Sequence, residues 1–184
     1  MSRFWIFNKK LSKGFTLIEL LIVIAVIGVL AAVVLVAIDP IEQLARGRDT
    51  GRKSTNVELG RALEANFTNS GGNYIVPGIG PNWTADLQAA GDIKTIPTSP
   101  AVPATLCTGG GEIGTGSQFC YKLDVSAPTN PRIVVYIKTE SKSEQAKCGA
   151  LLSWSAYLSA FGRGGTFCKA TEPAPSDAVT LFAP

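Results

Sequence analysis

One acidic residue stands inside a long apolar segment near the start of the chain. Residues 20–38 are nineteen consecutive residues without a charge, and Glu19 interrupts an apolar run that begins at Phe15. A charged side chain within the hydrocarbon of a membrane costs on the order of 3 kcal/mol. An ionisable group at such a position requires a partner and indicates a function. Glu19 is therefore the first candidate for chemistry in this sequence.

The residues before the apolar run suggest what that partner is. The first fourteen residues contain no acid and end at Gly14. Cleavage after Gly14 would give Phe15 a free α-ammonium group close to the Glu19 carboxylate. The segment is basic, with four charged side chains: Arg3, Lys9, Lys10 and Lys13.

The apolar segment is long enough to cross a membrane. As a helix with a rise of about 1.5 Å per residue, residues 15–38 reach roughly 36 Å, against a hydrocarbon core of about 30 Å. Basic residues stay preferentially in the cytoplasm. The sequence therefore predicts a single-pass inner-membrane protein with a cytoplasmic N-terminus and an exported remainder.

Residues 13–19, Lys-Gly-Phe-Thr-Leu-Ile-Glu, together with the apolar run, resemble the processing motif of type IV pilins and the related pseudopilins. The resemblance implies cleavage between Gly14 and Phe15 by a membrane-embedded prepilin peptidase, and N-methylation of Phe15. It also implies that Glu19 pairs with the Phe15 ammonium group of a neighbouring subunit during assembly. The product would be a surface filament of the kind that serves adhesion and motility.

The implied partners follow from that resemblance. They are further copies of this chain in a helical homopolymer, the prepilin peptidase and N-methyltransferase, the pilus assembly platform and, before assembly, membrane lipid. No nucleic acid is implied. A pseudopilin of a type II secretion or DNA-uptake system is the alternative within the same group of proteins.

Two simpler interpretations explain less of the N-terminal segment. A secretory signal peptide has an apolar region of about 7 to 15 residues, whereas this run extends over residues 15–38. A signal anchor that carries an extracellular binding domain explains the length and the basic flank. Neither interpretation explains Glu19.

Composition excludes several functions. Without the first fourteen residues, 13 basic side chains face 14 acidic ones, so net charge gives no argument for nucleic-acid binding. The chain has no histidine, the commonest general base and metal ligand. We therefore predict no catalytic residue, no cofactor and no metal site. Asp124, Glu140 and Glu144 match no calcium loop, and we expect them to be solvated carboxylates.

The cysteines indicate disulfides. All four lie beyond the apolar segment, on the side predicted to be exported, where thiols are oxidised in pairs. Of the three possible pairings, the one that closes short local loops is favoured. It joins Cys107 to Cys120 and Cys148 to Cys168.

The order of elements predicts an α+β fold. We expect a basic leader at 1–14, a transmembrane and assembly helix at 15–38, an amphipathic helix at 39–70 and a β-rich head at 71–184. Asp39 and Pro40 predict a break between the helices. Residues 46–53 are polar all round, which predicts either a flexible or closely packed neck or a solvated helix face. The stripe that should face the head comprises Ile41, Leu44, Ala45, Thr55, Leu59, Ala62, Leu63, Asn66 and Phe67.

The head is predicted to contain a small antiparallel sheet packed on residues 59–67. Residues 118–125 and 132–138 form a predicted hairpin, and the alternation of Leu152, Trp154 and Ala156 predicts a third strand. Short helices are expected at 82–88 and 143–148, an edge strand at 166–170 and a loose tail at 172–184. Trp83, Trp154 and Tyr157 are expected in the core. The apolar segment stays uncovered in this arrangement, so it can rest only in lipid or against copies of itself.

Overall fold

The computed structural model describes residues 14–78, 82–99, 107, 112–113, 118–126 and 130–183. The chain divides into two compact units, Met1–Pro40 and Ile41–Pro184. We call the second unit the head. The first unit contains helix α1 (Leu17–Ile38). The head contains nearly all of helix α2 (Pro40–Asn69), so α2 is part of the head's own packing.

Helix α1 is apolar except for Glu19 in its first turn. None of its 22 residues is buried. Its length and apolar composition are sufficient to cross a membrane. The predicted transmembrane helix is therefore present, and it starts two residues after Phe15.

The break predicted at Asp39 and Pro40 is present. Asp39 ends α1 in the left-handed region, with φ 44°. Aspartate tolerates this conformation better than most residues. Pro40 then takes the first position of α2, where the missing amide hydrogen would have no helical acceptor.

The head combines α2 with an antiparallel sheet and two shorter helices, which confirms the α+β fold. The remaining helices are α3 (Trp83–Ala90) and α4 (Lys142–Cys148). The sheet has the order β1-β2-β3-β4-β5, with every neighbouring pair antiparallel. Its strands are β1 (Glu112–Ile113), β2 (Cys120–Asp124), β3 (Arg132–Lys138), β4 (Leu152–Leu158) and β5 (Arg163–Lys169).

The predicted hairpin is β2 and β3, with Tyr121 opposite Val135. Strand β4 coincides with the predicted third strand. Strand β5 begins earlier than the predicted edge strand and is longer. Strand β1 was not predicted, because its two residues lie in a loop-rich stretch with no alternating pattern. Both short helices are present, and α3 starts at the Asn82 cap, whose side chain accepts the Thr84 amide hydrogen at 3.2 Å.

The second half of α2 packs against one face of the sheet, as predicted. Leu59 and Leu63 are buried with α3 and with alternate residues of β3. Gly60 permits close approach, because a Cβ atom there would lie 2.1 Å from the Tyr157 ring. The other members of this core are Ala62, Trp83, Leu87, Phe119, Tyr121, Ile133, Val135 and Ile137.

The C-terminal segment covers the opposite face, so the prediction of a loose tail is wrong. Phe182 is buried, meets the Phe167 ring edge-on at 5.1 Å and forms a β-bridge with Phe167. Glu172 accepts hydrogen bonds from Lys122 and Tyr136, each at 2.8 Å. Two of the prolines that suggested disorder, Pro173 and Pro175, are themselves buried.

The first half of α2 corrects the predicted stripe. Ile41 and Leu44 are 75% and 63% exposed, whereas Asp49 and Arg52 are 1% and 2% exposed. The segment 46–53 is therefore packed against the head on one face and solvated on the other. Asp49 and Arg52 are buried because they find partners in the head, whereas Arg46 and Thr50 are exposed.

Candidate processing and assembly site

The predicted cleavage site lies just outside α1. Gly14 and Phe15 precede the helix, and Thr16 is its N-cap with an extended backbone. A Cβ atom on Gly14 would meet no described atom within 4 Å, and Phe15 is 86% exposed. The Gly14–Phe15 peptide bond is therefore not held in helical hydrogen bonding. The basic residues of the leader lie outside the described residues.

Glu19 is held by the first turn of its own helix. Its carboxylate accepts the Thr16 amide hydrogen at 2.9 Å and the Thr16 hydroxyl at 2.7 Å. The Glu19 amide in turn donates to the Thr16 hydroxyl oxygen at 3.3 Å, which completes a capping box. The positive end of the helix dipole also favours an anion at this position. The carboxylate thus binds the amide of Thr16, which directly follows Phe15, the residue whose nitrogen cleavage would turn into an ammonium group.

A second cluster of charged side chains lies in the head, between α2 and α4. The Asp49 carboxylate accepts the amide hydrogens of Glu140 at 3.1 Å and Ser141 at 2.8 Å. The Glu42 carboxylate accepts those of Lys142 at 2.9 Å and Ser143 at 3.0 Å. Two carboxylates of α2 therefore bind four successive amides at the start of α4.

Basic side chains of α2 neutralise this cluster. Arg52 lies 2.7 Å from Asp49 and 3.3 Å from Glu140, and Arg48 also pairs with Glu140. The hydrogen bond from the Lys142 amide lowers the pKa of the Glu42 carboxyl, desolvation raises it, and the hydrogen bond from the Ser143 amide lowers it again. The net effect is a pKa below the usual value. Arg46 pairs with Glu42 at 3.0 Å, so three arginines face the three carboxylates of the cluster.

Glu144 extends the cluster towards β5. Its carboxylate lies 2.6 Å from Lys53 and 2.9 Å from Lys147, and it accepts the Thr166 hydroxyl hydrogen. Desolvation raises the pKa of Glu144, but the hydrogen bonds from Lys53, Thr166 and Lys147 outweigh it and lower the pKa to about 2. Glu144 is ionised at every pH at which the protein would work.

These contacts correct the predicted environment of two of the three carboxylates that were expected to be solvated. Glu140 and Glu144 are ion-paired rather than solvated, and Asp124 caps a turn by accepting the Ser126 amide hydrogen at 2.9 Å. Among the described residues, no group of three or more Asp, Glu, Cys or His side chains is arranged to hold a metal ion.

The comparison with protein families decides what the N-terminal site is. Residues 9–35 match the family model of the prokaryotic N-terminal methylation motif. This chain carries a prepilin-type N-terminus. No curated protein and no solved structure matches the chain. The motif is typical of type IV prepilins and pseudopilins, and it implies prepilin peptidase processing and pilus-type assembly in general.

The prepilin-type motif and α1 fit together. The match covers the end of the basic leader, Glu19 and most of the apolar helix. The motif and the single apolar helix fit a membrane-anchored, single-pass precursor. The motif belongs to structural, pilin-type subunits.

The head carries both disulfides of the prepilin-type chain. Cys107 is bonded to Cys120, and Cys148 is bonded to Cys168. The first bond ties the segment before β2 to that strand. The second joins the end of α4 to β5, so α4 is fixed covalently at its C-terminal end and by α2 at its N-terminal end.

Proposed function

We propose that this prepilin-type chain is the structural subunit of a type IV pilus-like surface filament, and not an enzyme. The chain is cut between Gly14 and Phe15, Phe15 is N-methylated, and the subunits polymerise through α1. One observation carries the proposal: none of the 22 residues of the apolar helix α1 is buried, and its acidic residue, Glu19, lies four residues after Phe15.

The apolar surface of α1 has to stay out of water both before and after assembly. Each buried side chain of the size of leucine or valine contributes about 1.5 to 3 kcal/mol when it leaves water. In the precursor this surface is covered by membrane lipid. In the filament it is covered by α1 of neighbouring subunits, so the membrane stores the subunit that the filament uses.

Glu19 provides the register of assembly. In the precursor its carboxylate is satisfied by Thr16, at 2.9 Å and 2.7 Å. After cleavage, the Phe15 ammonium group of a neighbouring subunit becomes its partner in an apolar environment. There the attraction is far stronger than in water, although desolvation offsets part of it. A subunit one step out of register leaves a buried charge unpaired, which disfavours that position.

The proposal places the N-terminus in the cytoplasm and the head outside. The four basic residues of the leader support this orientation through the positive-inside rule. Two disulfides in the head agree with an oxidising compartment. The assembly machinery in the membrane is then the partner that moves the subunit from lipid to filament.

The test separates processing from assembly. Glu19→Ala should be processed normally, as judged by loss of residues 1–14, and should yield few or no filaments in the sheared surface fraction. Glu58→Gln removes an exposed carboxylate from α2 and is the matched control, with filaments at the wild-type level. Wild-type filament yield from Glu19→Ala would contradict the proposed role of Glu19.

A pseudopilus has the same N-terminal motif and differs in where the polymer lies. Surface filaments that contain this chain, purified by shearing and identified by mass spectrometry, support the pilus. A chain that is processed and methylated but recovered only from the cell envelope supports the pseudopilin.

A further inference from the structure

The two halves of α2 are held to the head by different forces. From Leu59 onward the helix buries apolar side chains in the sheet core. In residues 41–53, Ala45 is the buried apolar side chain, and the other buried residues are Glu42, Asp49 and Arg52. The first half is therefore attached almost entirely through charged hydrogen bonds, and the second half through apolar packing.

Four donors of these bonds are the backbone amides of one short segment, residues 140–143. The amide hydrogens of residues 140–143 point at Asp49 and Glu42, with nitrogen–oxygen distances of 2.8 to 3.2 Å. On its other side the same segment borders an open groove of about 590 Å³. Solvent therefore reaches one side of the segment, and α2 covers the other.

Two glycines weaken the first half of α2, although no close contact requires a glycine at either position. Gly47 and Gly51 lie inside α2, and a Cβ atom at either position would meet no described atom within 4 Å. Each glycine lowers helix stability by about 1 kcal/mol relative to alanine. Gly60, in contrast, is required by its contact with Tyr157. The two glycines that no contact requires therefore lie in the half of α2 that is held by polar contacts.

Removal of the first half would leave α4 in place. Cys148 bonds α4 to Cys168 of β5, and Thr166 of β5 donates to Glu144. Thr139, before the segment, is anchored to Ser153 of β4 through its amide and its hydroxyl group. The contacts of the first half can therefore break without loss of the sheet or of α4.

We propose that residues 41–53 form a polar latch, a part of α2 that detaches from residues 140–143 while the sheet and the second half of α2 stay folded. The latch gives the head two conformations, and the chain that leaves the head at residue 41 has a different path in each. The inference rests on contacts within the head and does not depend on the proposed filament.

The test is amide hydrogen exchange on the full chain in detergent micelles. Residues 140–143 donate to the latch, so their exchange reports its opening, and the central amides of β3 report global unfolding. In the wild-type chain, residues 140–143 should exchange at least 100-fold faster than the slowest β3 amides. Exchange of both sets at one common rate would overturn the proposal, because the latch would then open only with the whole head.

Two variants move the latch in opposite directions. Glu42→Ala removes the acceptor for residues 142 and 143 and should speed their exchange at least about tenfold. Gly47→Ala combined with Gly51→Ala should slow exchange of residues 140–143 about twentyfold, and exchange of the slowest β3 amides by a similar factor, because latch opening and global unfolding both break this part of α2. This second variant touches none of the latch contacts and keeps the test valid if the first folds poorly.

The matched control is Glu58→Gln, an exposed carboxylate on the same helix outside the latch. It should leave exchange at residues 140–143 within twofold of wild type. Leu63→Ala lies in the half of α2 that stays folded when the latch opens, so it should speed exchange of β3 and leave residues 140–143 within twofold of wild type. Equal acceleration of both sets in Leu63→Ala would mean that α2 is one cooperative unit, and would refute the latch.

Discussion

The two long helices of this chain reverse the usual relation between polarity and burial. Helix α1 is apolar and has no buried residue, whereas α2 is polar and buries Glu42, Asp49 and Arg52. The difference lies in where each helix finds its partners. The charged groups of α2 are satisfied by backbone amides and opposite charges within the head. The apolar groups of α1 are not buried in the described chain. Helix α2 is therefore packed within the head, whereas α1 exposes an apolar surface that a further partner can cover.

The largest effect should come from removal of residues 1–40. The head forms a compact unit by itself and has its own core and both disulfides. We expect the remaining chain to be soluble, folded and monomeric, with complete loss of membrane association. Membrane fractionation and analytical ultracentrifugation check this, and an aggregated or unfolded head would show that α1 contributes to its stability.

The same leucine-to-alanine change should destabilise the head in α2 and leave its stability unchanged in α1. Leu63 in α2 is fully buried, and Leu63→Ala should lower the free energy of unfolding of the head by about 2 to 5 kcal/mol. Leu30 in α1 is 60% exposed, and Leu30→Ala should leave the head's denaturant midpoint unchanged. A shift of the midpoint in Leu30→Ala would contradict the separation of the two regions.

Glycine substitutions sharpen the comparison within α2. Gly60→Ala forces a Cβ atom into the Tyr157 ring, and we expect it to destabilise the head by about 1 to 3 kcal/mol. Gly47→Ala meets open space and should not destabilise it. Thermal melts of the two variants side by side measure the difference, and equal melting temperatures would show that α2 does not approach β4 this closely.

The smallest expected effect is a loss of stability of the head at acidic pH. The pKa of Glu144 falls from 4.5 to about 2 on folding, so its contribution is fully present above pH 4.5. It is lost as the pH falls towards 2. Denaturant unfolding between pH 2 and 6 should therefore show declining stability, and Glu144→Gln should flatten that decline. A profile for Glu144→Gln as steep as that of the wild type would assign the dependence to other carboxylates.

The elements of the fold could be predicted because each has a strong local signal. Nineteen uncharged residues identify α1, alternating β-formers identify β3 and β4, and short loops favour the two disulfides that the structure contains. The site residues Gly14, Phe15 and Glu19 come from a continuous motif. No contact in the structure tests their roles, which stay predictions.

The burial of charged residues in α2 could not be predicted from residue type, because such residues are usually exposed. Their spacing along the helix, however, did indicate it. Seven of the nine buried positions of α2, namely 42, 45, 49, 52, 56, 59 and 63, follow alternating steps of three and four residues. Extending the phase of Leu59 and Leu63 backwards reaches Asp49 and Arg52, and not Ile41 or Leu44. Residue type misled because burial of these side chains depends on amides some ninety residues away in the sequence.

The tail was mispredicted for a related reason. Three prolines and few apolar residues resemble a disordered terminus. The contacts that fix the tail, from Phe182 to Phe167 and from Glu172 to Lys122 and Tyr136, join it to strands distant in sequence. Local composition contains no information about such pairings.

The central claim is that α1 is processed and then assembled, and the intact mass and N-terminal sequence of the protein test it most directly. The protein should be taken both from membranes and from sheared surface material. The account predicts a surface form that starts at N-methylated Phe15, lacks residues 1–14 and is four hydrogens lighter than the reduced chain because of its two disulfides. A surface form that starts at Met1 or near Ala32 would contradict it.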